Sequence, residues 1–229
     1  MSAQNYIFIT SILLSIGIII VGLVIFIKKP KTIHSDKNND KNSDKNFGLS
    51  AKEMDDILSL HNKYRVLAGA SPLVWSDELA RYAQMWGTHL KNNNCEIEAV
   101  PENMRGIYLN GDTYGQNIAK FERVNDSMGN SSVIVTDNSS PYNTVTGWFN
   151  ECKNINPDNL RDTSKGPIGH YTQLVWKDTK RVGCAKVTCQ TDNSHSSIYV
   201  CNYDPSGNII NGEGDPLLFY NNNVTKACQ

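Results

Sequence analysis

The first strong pattern along the chain is an uninterrupted apolar one. Residues 6–27, YIFITSILLSIGIIIVGLVIFI, carry no charged side chain. At about 1.5 Å of rise per residue they are long enough, as a helix, to cross a bilayer. The pattern then inverts. Residues 28–48 repeat Asp-Lys-Asn three times and hold almost nothing apolar. Such a stretch cannot bury enough surface to offset the entropy of ordering, so it predicts a flexible stalk. Beyond it the periodicities are those of a globular domain of a size that supports one core. The organisation expected is an N-terminal tail (1–5), a transmembrane helix (6–27), a disordered polar linker (28–48) and one domain (49–229).

Within the domain, Ser50-Ala-Lys-Glu53 has the form of a capping box, and Met54, Ile57, Leu58 and Tyr64 follow at helical spacing. This predicts a helix over 51–68, stopped at Gly69. A second helix opens at Ser76, with Leu79, Ala83, Trp86 and Leu90 as one apolar stripe. Residues 91–115 read as irregular and 122–143 as a polar loop, while TVTGWFNECKN (144–154) suits a further helix. HYTQLVW (170–176) fits a short helix or a strand equally well. RVGCAKVTC (181–189) and SSIYVCNYD (196–204) are branched and aromatic segments separated by a polar turn, as in a β-hairpin. Helices early and strands late predict an α+β domain with helices packed on a sheet.

Composition narrows the function classes. The formal net charge is −1 and no basic stripe is present, which argues against nucleic acid as a partner. All six cysteines (Cys95, Cys152, Cys184, Cys189, Cys201, Cys228) lie in the domain, with no C-x-x-C pair and no zinc spacing. That favours three disulfides over a metal site, buried free thiols being the alternative. Disulfides place the domain on the oxidising side of a membrane. Lys28, Lys29 and Lys31, which follow the apolar segment, favour the cytosol by the positive-inside rule, and a cleaved signal peptide is a third option. We give the cysteines precedence and expect a single-pass membrane protein with an extracellular or lumenal domain. Glycosylation sequons at Asn125, Asn130, Asn138 and Asn223 do not help. With 27 Asn and 32 Ser or Thr in 229 residues, chance alone yields about four matches.

A set of short segments then appears in a telling order: HNKYR (61–65), PLVWSDELARYAQMW (72–86), YGQNIA (114–119), WFNE (148–151), GHYTQLVWKDTKRVGCAKVTC (169–189) and YVCNYDPSGN (199–208). Together they resemble the CAP domain of cysteine-rich secretory proteins, insect venom antigens and plant pathogenesis-related proteins. The resemblance implies a three-layer αβα sandwich and, usually, secretion. It also implies the pairing Cys184–Cys201 and Cys95–Cys189, which leaves Cys152–Cys228.

Many members of that family set two histidines and two carboxylates around one cleft, a donor set suited to a divalent cation such as zinc. Carried over by position, the resemblance offers His170 and Glu151. Gln116 stands where a carboxylate is more usual, and Ala99 where the second histidine is expected. An amide is a poor zinc ligand and a methyl group is none. His89 and Glu98 are the nearest stand-ins. The expected site is therefore a degenerate cleft of His170, Glu151 and Gln116, with no metal and no cofactor. His61, beside Asn62 and Arg65, is expected to fix the first helix, and Gly115 and Asn117 to set backbone geometry.

Two functions compete. The first is a non-enzymatic binding module for a lipid, a sterol or a protein partner. The second is a metal-dependent hydrolase using His170 and Glu151. A plainer third reading has the 122–143 loop contacting a partner protein.

Overall fold

A computed structural model describes residues 47–101, 114–124, 138–190, 194–209 and 217–224. The predicted transmembrane helix (6–27) and the linker as far as residue 46 lie outside the described residues. Among the described residues no helix is long and apolar enough to cross a membrane.

The elements run in the order α1 (Ala51–Leu67), β1 (Val74–Trp75), α2 (Asp77–Asn92), β2 (Gly115–Val124), α3 (Pro141–Asn150), a 3₁₀ turn (Glu151–Asn154), α4 (Gly169–Val175), β3 (Arg181–Gln190), β4 (Ser194–Asp204) and α5 (Leu218–Asn223). The four strands form one sheet in the order β1-β3-β4-β2, with β1 parallel to β3 and the other pairs antiparallel. The α+β expectation holds.

The capping box is formed as predicted. Ser50 Oγ accepts from the Glu53 amide, and Glu53 Oε2 accepts from the Ser50 amide at 2.8 Å. Ser76 caps α2 with its hydroxyl oxygen alone, accepting from the Leu79 amide at 3.3 Å. The third helix starts earlier than its apolar pattern suggests, at Pro141. Pro141 occupies the first turn, where no donor is needed, and Ser140 accepts from the Asn143 amide. It also tightens into the 3₁₀ turn at Glu151. HYTQLVW is helical. The stretch read as polar from residue 122 continues as strand to Val124, and residues 125–137 lie outside the described residues.

Alternation along the central strands assigns the layers, because successive strand residues face opposite sides of the sheet. Val182, Cys184, Tyr199, Cys201 and Tyr203 pack with Ile57, Tyr64, Val145, Trp148, Tyr171 and Leu174 from α1, α3 and α4. Ala185, Val187, Ile198 and Val200 pack with Ala80, Ala83, Trp86 and Leu90 of α2. Helices thus cover both faces. Gly183 admits the close approach of α2, since a Cβ there would overlap the Ser76 carbonyl and the Ala80 amide.

Cysteines staple this arrangement. Cys184 and Cys201 are directly opposite on β3 and β4 and are joined. Cys95 joins Cys189, tying the exit of α2 to the far end of β3. A bridge closing a span of 94 residues contributes about 3–4 kcal/mol, chiefly by restricting the unfolded chain. Cys152 is also disulfide-bonded, and its expected partner, Cys228, lies outside the described residues.

Candidate functional site

At seven residues, α4 is too short to hold itself in water. Its N-cap residue, Ile168, offers no side-chain acceptor. The acceptor arrives from the 3₁₀ turn instead. Glu151 Oε2 accepts from the His170 amide at 2.9 Å and the Tyr171 amide at 3.2 Å, satisfying orphan donors of the first turn. A carboxylate is also the favoured charge at that end of a helix. Its other oxygen, Oε1, lies 2.6 Å from His170 Nδ1. With the acid as acceptor, Nδ1 carries a proton. The His170 side chain is 38% exposed and that of Glu151 12%, and the imidazole lies near-parallel to the buried Trp148 ring, 6.0 Å away.

The other end of α4 is held by a cation. Arg65, fully buried in α1, donates from Nη1 to the Leu174 and Trp176 carbonyls at 2.9 Å, from Nη2 to Thr179 O at 3.0 Å and from Nε to Ser71 O at 2.7 Å. Burial lowers its pKa to about 10, so it remains charged at neutral pH. Among the described residues it has no carboxylate partner. Its charge is answered by carbonyl dipoles at the negative end of the helix.

The flanks are tied down by the remaining motifs. Gln173 Oε1 accepts from the Gly207 amide at 2.9 Å. Thr172 Oγ1 donates to Asn208 Oδ1 at 2.7 Å, and Asn208 Nδ2 returns a bond to Gly169 O. Asn117 Nδ2 donates to His170 O at 3.0 Å and to Tyr203 Oη at 3.2 Å. That hydroxyl in turn donates to Nε2 of the fully buried His61, 2.8 Å away, whose Nδ1 donates to Ile57 O. Desolvation drives the His61 pKa down to about 4, and the nearby Arg65 charge pushes it the same way. Gly115 does not adopt a positive φ. Its constraint is space, because a Cβ would overlap the Gln173 side-chain amide.

The expected trio is only partly assembled. His170 and Glu151 meet, but Gln116 does not join them. Gln116 Oε1 accepts from the Val100 amide and Nε2 donates to Asn202 Oδ1, both at 3.0 Å. Asn202 reaches the Leu79 carbonyl of α2. The strand alternation that turns Asn117 toward α4 turns Gln116 toward α2. Ala99 is exposed. His89 and Glu98 pair with each other at 2.9 Å and do not stand in beside His170. Among the described residues, no group of three or more His, Cys, Asp and Glu side chains is placed to hold a metal ion. With Glu151 already facing two amides and the imidazole Nδ1, this pair falls short of the three or four protein ligands zinc takes. Arg65, Asn117 and Asn208 are the partners of α4 whose contacts with it sequence reasoning did not assign.

Two grooves lie apart from this assembly. One, of about 450 Å³, runs between α1 and α3 and is lined by Asp56, Ser59, Leu60, Lys63, Ser140, Pro141 and Tyr142. The other, of about 350 Å³, lies against the outer side of α2.

Comparison with known proteins agrees with this geometry. Residues 58–203 match the family model described as the cysteine-rich secretory protein family, CAP. The chain is 33% identical over 185 residues to venom allergen 5 of Vespula maculifrons, covering 73% of this chain and 81% of that protein. It is 36% identical over 156 residues to pathogenesis-related protein 1 of Arabidopsis thaliana, covering 68% and 78% respectively. Among solved structures, that of BmVAL-1 superposes with a TM-score of 0.51 at 23% identity over 70% of this chain and 80% of that one. The last likeness concerns the fold alone.

Proposed function

The chain belongs to the cysteine-rich secretory protein (CAP) family, and on that premise we propose that it is a non-enzymatic binding module whose ligand is a lipid with a single acyl chain. The observation that carries the reading is the groove between α1 and α3. Leu60, Pro141 and Tyr142 give it an apolar lining, with Tyr142 57% exposed. Lys63, exposed at its rim, supplies one ammonium for an acidic head group. A mostly apolar cleft with a few fixed polar groups is the usual form of a small-ligand site.

His170 and Glu151, by contrast, are occupied in holding α4, which leaves the metal-dependent hydrolase without a donor set. The apolar segment 6–27 would hold the module at a membrane, with the disulfide-bonded domain on the extracellular or lumenal side.

A diazirine-bearing palmitate tests this on the full chain. Photolabelling is expected within 56–63 and 140–142, and Leu60→Trp, which fills the groove, should cut labelling there several-fold. Labelling confined to the apolar N-terminal segment, or unchanged in Leu60→Trp, would contradict the proposal.

A further inference from the structure

The groove on α2 gathers chemistry that neither the α4 assembly nor the acyl groove uses. Tyr82, Met85, Trp86 and His89 line it from one face of α2, Asn93 from the helix end, and Glu98, Val100, Pro101 and Tyr114 from the facing segments. Its walls are aromatic and thioether: Tyr82 lies parallel to Tyr114, and Met85 is 52% exposed. Trp86 is fixed by its indole N–H donating to the Glu98 carbonyl at 2.9 Å.

Its charge is one-sided. Among the described residues Glu98 is the lining carboxylate, and neither Lys nor Arg lines the groove. His89, stacked on Trp86 at 4.4 Å, holds Glu98 Oε1 through Nε2, and Asn93 lies 3.0 Å from the same nitrogen. Glu98 Oε2 has no hydrogen-bond partner among the described residues.

We propose that this groove binds a small organic cation carrying apolar substituents, of the quaternary ammonium or alkylated amine class. Ring faces attract such a cation through their quadrupoles, and Glu98 Oε2 supplies the counter-charge at the rim. The same lining disfavours the other candidates. An anion would meet a carboxylate with no guanidinium or ammonium beside it among the described residues. A bare metal ion would find, among the described residues, two strong donors already bonded to each other. The volume of about 350 Å³ is at the small end for ligand sites and accommodates a trimethylammonium head with its substituent.

Choline and its uncharged isostere 3,3-dimethylbutan-1-ol test the proposal. The full chain, in nonionic detergent micelles and carrying ¹³C-methyl methionine, is titrated with each while the Met85 signal, assigned through Met85→Leu, is followed. Choline is expected to shift that signal saturably. The isostere should not, and Glu98→Gln should weaken choline binding about tenfold. The other methionine signals report whether the variant keeps its fold. No saturable shift with choline, an equal response to the isostere, or an unaltered choline affinity in Glu98→Gln would each overturn it.

Discussion

Arg65→Met is expected to destabilise the domain by about 4 kcal/mol, lowering the midpoint of thermal unfolding by roughly 10 °C. The volume is nearly conserved, so the loss is not one of packing. Four carbonyls, those of Ser71, Leu174, Trp176 and Thr179, lose their guanidinium donors together, and of these Trp176 O keeps the Thr179 amide. An unsatisfied buried polar group costs about 1–3 kcal/mol before neighbours relax, and two of these carbonyls belong to the end of α4. Relief of the buried charge offsets part of the sum. Arg65→Lys should recover only a minority of the loss, since a single ammonium cannot span acceptors that a planar guanidinium reaches from both sides. Urea unfolding of the three proteins checks the ordering; a loss below about 1 kcal/mol for Arg65→Met would mean that α4 does not depend on this contact.

The second large effect is one of pH. His61 ionises at about 4 in the folded chain against an ordinary 6.5, so the unfolded state takes up its proton first as pH falls. Stability is then unaffected by this group above pH 6.5, declines from there to pH 4, and is constant below. The total is about 3 kcal/mol, since each pH unit separating the folded and unfolded ionisations is worth roughly 1.4 kcal/mol. Carboxylates held low, such as Asp162 at about 2, lose their contribution only in more acid solution. Urea midpoints between about pH 7 and pH 4.5 should therefore fall with a slope approaching one proton. Midpoints that stay level across that window would place a charged or solvated His61 in the folded state.

Much of the fold could be read from local signals. The capping box at Ser50, the stripe on α2 and the hairpin of β3 and β4 each follow from neighbours a few residues apart. What escaped was long-range. Arg65 reads as an ordinary helix charge until three of its four acceptors, 109 to 114 residues away, are brought beneath it. Gln116 and Asn117 were distinguishable only by the register of β2 on β4, which decides the residue that faces α4. No periodicity could choose helix or strand for HYTQLVW, because α4 is fixed less by its own residues than by an acid at one end and a guanidinium at the other. The family motifs HNKYR, YGQNIA, WFNE, GHYTQLVW and YDPSGN are scattered in sequence and converge on this helix.

That convergence gives His170 a structural role: its amide and its imidazole both lean on Glu151. The direct measurement is thermal unfolding of the wild-type chain and Glu151→Gln, each with and without excess zinc. A ligand that binds only the folded state must raise the midpoint. The account predicts that Glu151→Gln unfolds about 5 °C lower in both conditions and that zinc moves neither midpoint. A zinc-dependent rise in the wild type, abolished by Glu151→Gln with no change in the zinc-free midpoint, would contradict it.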